Sequence, residues 1–215
     1  RFARGYGPAD PFTGRAFTPE TVVDSGSLAK PVTAAPVLLL PRDGEIDLDS
    51  PDQQYPPEYP QAETKVRHLL AHSAGLSDEA VSTIIGKTNA DLLAEFRKPG
   101  VKPLFPPGTA FTYCNFCYST LALLIERAAG EHYLSFVKRR AGLPPGVTIR
   151  PAKLADWRGR AIGYRRADNG RPERADSYED ELFYGTANLS ISASQLAQWG
   201  SEWWGKRMWP IGQLA

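Results

Sequence analysis

Two pairs of side chains in this sequence have the types and spacings that acyl transfer requires. The stretch DSGSLAKPVTAA, Asp24 to Ala35, sets Ser27 and Lys30 three residues apart where a Gly-containing loop passes into a predicted helix. One helical turn puts such residues on a common face, with Cβ atoms about 5–6 Å apart. A serine hydroxyl is a poor nucleophile until a base takes its proton, and a lysine amine serves as that base where burial and nearby positive charge leave it neutral. The start of the same helix offers a backbone N–H and the positive end of the peptide dipoles to a developing oxyanion. Alone, Ser-x-x-Lys is weak, because a helix cap followed by a solvated lysine is spelled the same way. A second cluster, PPGTAFTYCNF, adds Tyr113 and Asn115, two residues apart and so on one side of an extended segment. A phenol beside a lysine can share the proton transfers, and an amide can hold a substrate carbonyl. Taken singly, Tyr113 reads as a half-buried aromatic and Asn115 as a helix cap.

These residues need elements to hold them. The spacing predicts a helix opening at Ser27, with Leu28, Val32, Ala35 and Leu39 on its apolar face and its last turns kinked or shortened by Pro36. A Pro-rich loop over 41–61 follows. TKVRHLLAH predicts a helix capped by Thr64, with Val66, Leu69 and Leu70 on one face, stopping before Gly75, and Asn89 is placed to cap ADLLAEF. The longest helical pattern is FCYSTLALLIERAAG, with Leu121, Leu124, Ile125 and Ala128 spaced for burial and Gly130 as its stop. HYLSFVKRR predicts a further helix, and Ser192 with Gln195 forms a capping box for a last one carrying Leu196, Trp199 and Trp203 inward. RFARGYG reads as a short strand and PADPFTGR as a turn, and residues 142–181 are mostly of turn and short-strand composition. Trp157, Tyr164, Phe183, Tyr184, Trp203 and Trp204 are candidates for an acyl pocket, although core positions are the plainer reading for most of them.

A chain of 215 residues suits one medium domain, and 25 basic against 24 acidic side chains give no electrostatic reason to expect nucleic acid or an anionic membrane as partner. AAPVLLL falls far short of the roughly 20 residues that span a bilayer. A soluble protein is expected, cytoplasmic or secreted. Cys114 and Cys117 invite a metal or redox reading, but His68, His72 and His132 show no ligand spacing around them and no βαβ pattern accompanies them. Two free, half-buried thiols are the simpler account. No metal or organic cofactor is expected, since serine acylation needs none.

DSGSLAKPVTAA, DGEIDLDSP, VRHLLAHSAGL, PPGTAFTYCNFCYSTLALLIERAAG and YGTANLSISASQLAQW occur in that order. Together they resemble the serine hydrolases of the class C β-lactamase, D,D-peptidase and family VIII esterase group, from Arg1 to Trp199. The resemblance implies a mixed α/β (α+β) fold of the β-lactamase/transpeptidase type, with a helical lobe, an antiparallel-sheet lobe and a groove between them. It makes Ser27 the acylated serine, Lys30 its partner, Tyr113 the group that helps deprotonate the serine and later a water, and Asn115 the substrate-orienting amide. It gives His72 and Ser73 of LLAHSAGL a structural role. The group also has a Lys-Thr-Gly or His-x-Gly strand, which is missing after Asn115; GKTN at Gly86 to Asn89 precedes the Tyr113 motif and lacks the glycine. The expectation is therefore one β-lactamase-like domain over 1–215 without its N-terminal helix and C-terminal sheet strands, the sheet being completed by a further segment or chain. The expected function is a serine hydrolase forming a covalent acyl-enzyme on a small ester or amide substrate. It would be esterase-like or D,D-peptidase-like, with β-lactamase and acyltransferase as variants. The alternative is a degenerate penicillin-binding-like module that binds or senses without turnover.

Overall fold

The computed structural model describes residues 2–40, 46–51, 63–78, 88–96, 102–149, 159–175, 184–187 and 189–203. Contacts divide the chain into two compact units: a helical one from Gly26–Ala141 and Asp180–Ala187, and one with the strands from Arg1–Ser25, Gly142–Glu179 and Asn188–Ala215. Most of the loop over 41–61, Lys87, Trp157, Phe183 and Trp204 lie outside the described residues.

The helical unit is arranged around its longest helix. A short 3-10 turn, Gly26–Leu28, leads into α1 (Ala29–Val37), followed by α2 (Val66–Leu70), α3 (Asn89–Phe96), α4 (Asn115–Ala129) and α5 (Tyr133–Arg140). Helices α1, α2, α3 and α5 all pack on α4. Leu121, Leu124 and Ile125 of α4 are fully buried, Ala128 only half so, and Gly130 ends the helix in the left-handed region at φ 66°. In α1, Pro31 falls in the first turn, where its missing N–H is no loss, whereas Pro36 withholds a donor from the ladder and the helix stops one residue later. The buried face of α1 is Ala29, Lys30, Val32, Thr33, Ala35 and Val37; Leu28 is exposed instead, because it precedes the first full turn, and Leu39 lies beyond the last.

Two of the expected caps fall one residue away from the predicted position. Helix α2 starts after Lys65 rather than Thr64, since the Lys65 N–H finds an acceptor in His68 Nδ1 at 3.1 Å, and Thr64 is buried. Thr88, not Asn89, caps α3: its hydroxyl accepts from the Asp91 N–H (3.2 Å) while the Asp91 carboxylate accepts from the Thr88 N–H (2.8 Å), a reciprocal box. Asn89 is freed to hold a distant segment, donating to the carbonyls of Ser119 and Tyr184 and accepting from the Tyr184 N–H at 2.7 Å. That segment is fixed again at Gly185, whose carbonyl accepts from the Thr33 hydroxyl (2.8 Å), itself 2.8 Å from the buried Tyr133 hydroxyl. A Cβ on Gly185, at φ +97°, would sit 2.2 Å from the Tyr118 carbonyl oxygen, so only glycine allows this approach to α4. The two cysteines are not free thiols: Cys114 and Cys117 are buried and disulfide-bonded, with Cα atoms 5.4 Å apart, across the first turn of α4.

In the other unit, β1 (Pro8–Asp10) and β2 (Arg15–Ala16) form a hairpin, so the first strand lies at the expected turn and the expected RFARGYG strand is absent among the described residues. Strands β3 (Val23–Asp24), β4 (Thr148–Ile149) and β7 (Leu189–Ile191) form an antiparallel sheet of order β3-β7-β4, with the central β7 buried throughout. Strands β5 (Tyr164–Arg166) and β6 (Pro172–Arg174) form an exposed hairpin, which takes Tyr164 out of the core. Helix α6 (Ala193–Glu202) begins with the Ser192–Gln195 capping box and buries Trp199, and Trp203 follows it into the core. No helix among the described residues is long and apolar enough to cross a membrane.

His68 links this architecture to pH. Burial, and after it the charges of Lys65 and Arg67, hold its pKa below the ordinary 6.5, and the acceptor role of Nδ1 requires that atom to be unprotonated. The unfolded chain then binds more protons than the folded one just below that value, so stability falls as the pH drops through it. Thermal melts between about pH 7 and 5 should show a shallower loss for His68→Gln than for the wild type; equal slopes would remove His68 from the acid response.

Candidate active site

Ser27 is exposed on the 3-10 turn that begins at Gly26, and Lys30 is buried at the start of α1 with 4% of its surface accessible. Lys30 Nζ donates to Ser27 Oγ (3.1 Å), Asn115 Oδ1 (2.6 Å) and the Thr186 carbonyl (3.1 Å), three acceptors for the three hydrogens an ammonium carries. Tyr113 donates its hydroxyl to Ser27 Oγ at 2.6 Å, and Lys30 Nζ stands 4.8 Å from the Tyr113 ring centre. The four residues singled out in the sequence thus meet within the helical unit, around one hydroxyl open to solvent. They do so differently from the extended-segment expectation. Cys114, itself extended, is the N-cap of α4, while Asn115 is already its first helical residue.

Further groups complete the arrangement. His72 is the one non-glycine residue with positive φ (55°) among the described residues, and its ring stacks on that of Tyr113 at 4.7 Å and 26°. Its Nδ1 accepts from the Cys114 N–H at 3.1 Å; burial first, and the Lys30 charge next, hold its pKa below the usual value, in keeping with a neutral acceptor. The carbonyls of His72, Ser73 and Gly75 accept from the N–H groups of Thr112, Gly108 and Leu104, which ties the loop carrying Tyr113 to the HSAG turn. Gly75, at φ +80°, has no room for a Cβ, which would lie 2.2 Å from the Phe105 oxygen. The structural role expected of His72 and Ser73 therefore extends to aiming Tyr113. Tyr118 borders the site as well, its ring centre 5.8 Å from Lys30 Nζ and the pKa of its phenol pushed up to about 12 by burial and by Tyr113.

Asp78 was not legible as a site residue. Its carboxylate accepts from the Asn115 N–H (2.9 Å), the Asn115 Nδ2 (2.7 Å) and the Phe116 N–H (3.1 Å). It satisfies backbone donors that the start of α4 would otherwise leave unpaired. The partners lie 37 residues apart, and no local spacing rule reaches that far. The Thr186 carbonyl was equally invisible, since a backbone acceptor carries no sequence signature. Chemically, Ser27 Oγ accepts a hydrogen bond from each of two titratable groups, one buried and one on the solvent side, and such a group can take up the serine proton only after it has given up its own.

Comparison with known proteins agrees with this geometry. The family model described as Beta-lactamase matches residues 1–211. The chain is 28% identical over 152 residues to "Penicillin-binding protein 4*" of Bacillus subtilis, covering 68% of this chain and 34% of that protein. It is 28% identical over 192 residues to "Esterase EstB" of Burkholderia gladioli, covering 80% and 48% respectively. The solved octameric penicillin-binding protein homologue from Pyrococcus abyssi superposes with a TM-score of 0.82 at 23% identity, over 96% of this chain and 50% of that one. The chain thus spans half or less of the length of these relatives. Its fold is of the β-lactamase/transpeptidase type, mixing helices with antiparallel sheets. With the family model matched over almost its whole length, this chain belongs to the Beta-lactamase family.

Proposed function

We propose that this chain carries the nucleophile and proton-transfer groups of a serine hydrolase that works through a covalent acyl-enzyme on a small ester or amide. One observation carries the reading: Ser27 Oγ, exposed, lies 3.1 Å from the buried Lys30 Nζ and 2.6 Å from the Tyr113 hydroxyl. In the form of the Lys30–Tyr113 pair that has lost one proton, the pair takes the Ser27 proton as Oγ bonds to the substrate carbonyl carbon, and it returns to that form when the leaving group is protonated. The carbonyl electron pair moves onto oxygen, beside the N-terminus of α1. Collapse of this adduct expels the alcohol or amine, which takes the proton, and leaves an acyl-serine. In the second half Tyr113, on the solvent side, takes a proton from water, which attacks the ester, and Ser27 recovers its proton. Asn115 Nδ2 has one hydrogen engaged by Asp78, and its second is the group that orients the substrate carbonyl. An esterase and a penicillin-binding protein among the relatives support an ester or amide as substrate.

Intact-protein mass spectrometry after incubation with an alkyl fluorophosphonate, and separately with a penicillin, tests the reading. One adduct per chain is expected, absent from Ser27→Ala while its thermal transition is unchanged; labelling of that variant would refute Ser27 as the nucleophile. Lys30→Ala should lower the labelling rate by about 10²–10⁴-fold, and a rate near wild type would remove the lysine from the mechanism. Adduct that forms and is never released, with substrate esters untouched, would point to a binding module without turnover.

A further inference from the structure

We infer that Asp78 is a positioning residue for the acylation chemistry: its carboxylate fixes which end of the Asn115 amide faces Lys30. This rests on the reading of Ser27 as the acylated residue and extends it to a group that contacts neither Ser27 nor Lys30 in the hydrogen-bond network.

Hydrogen-bond polarity carries the inference. An amide side chain can turn either end toward a neighbour at little intrinsic cost, so its orientation is set by what surrounds it. On one side of Asn115, Lys30 Nζ has only hydrogens to offer, and it meets Oδ1 at 2.6 Å, the shortest of its three contacts. On the other side, ionised Asp78 has only lone pairs to offer, and Oδ2 meets Nδ2 at 2.7 Å. A pure donor on one side and a pure acceptor on the other leave the amide a single orientation. The same carboxylate binds the Asn115 and Phe116 N–H groups, so backbone and side chain of Asn115 are held by one residue. A flipped amide would aim N–H at Nζ, depriving a buried amine of its nearest acceptor and displacing it from Ser27 Oγ. Asparagine at position 78 removes that constraint. Its carbonyl still accepts from the backbone of α4, but its own NH₂ then faces Asn115 and favours the flipped amide.

The test is a double-mutant cycle read with an alkyl fluorophosphonate. Asp78→Asn should lower the maximal rate of Ser27 phosphonylation by about 10–100-fold, leaving the half-saturating probe concentration within about twofold and the thermal transition in place. In the Asn115→Ala background the same substitution should change that rate by less than about twofold, because the group it acts through is gone. A residue that merely supports α4 would lower stability and move the rate by the same factor in both backgrounds, which would overturn the inference. So would a normal rate in Asp78→Asn. If Asp78→Asn loses its thermal transition, Asp78→Ser takes its place; its hydroxyl accepts from a backbone N–H but leaves the amide unheld, and it is judged by the same rate in the same two backgrounds. Wild-type protein that takes no adduct would overturn the hydrolase reading and the positioning role with it, whereas a labelled wild type beside an equally labelled Asp78→Asn overturns the positioning role alone.

Discussion

A buried lysine amine is the constraint on which the helical unit is organised. Removing Nζ from water is unfavourable unless each of its hydrogens finds an acceptor, and here the three acceptors come from three separate stretches: the turn before α1, the first residue of α4, and the segment at Thr186. Each stretch must be placed to within hydrogen-bond tolerance, and each has its own anchor. Gly185 closes against α4 where no side chain fits, with Thr33, Tyr133 and Asn89 holding the segment around it. Asp78 anchors Asn115. The helices and the exposed Ser27 hydroxyl are thus coupled through one polar cluster, in which a satisfied network both stabilises and specifies.

The second anchor system acts on Tyr113. A phenol on a loop aims poorly unless the loop is fixed, and three backbone hydrogen bonds from the HSAG turn, with the stacked His72 ring, supply that fixation. Holding His72 at positive φ costs backbone energy for a side chain with a Cβ. The contacts to Tyr113 and to the Cys114 N–H offset that cost, and the ring serves as acceptor only while it is neutral. Site chemistry and local strain meet at one residue, as is common where geometry serves function rather than stability.

Helix existence was legible wherever a local pattern decided it. The 3.6-residue burial of α4, its Gly130 stop and the Ser192–Gln195 box of α6 all lie where spacing places them. Short strands and caps were less so. The first strand fell at Pro8–Asp10 rather than at RFARGYG, and Thr88 replaced Asn89 as the cap of α3 because Asn89 had a better use in holding Tyr184. The disulfide lay beyond reach for a similar reason: two cysteines three apart are compatible with free thiols, and only the backbone of the first turn of α4 sets their separation.

By itself the sequence determined the inventory of candidate site residues. Ser27 with Lys30 and Tyr113 with Asn115 are pairs within one turn or one short segment, where covalent connectivity fixes proximity and residue type fixes chemistry. Tertiary structure alone decided how the pairs face each other and what holds them there: the hydroxyl of Tyr113 on Ser27, the carbonyl of Thr186 on Lys30, and the carboxylate of Asp78 on Asn115. Those contacts span 86, 156 and 37 residues, distances over which helix and strand periodicities carry no information. Their partners are chosen by which segments the packing around α4 brings together, and by the requirement that every buried polar atom among them be matched.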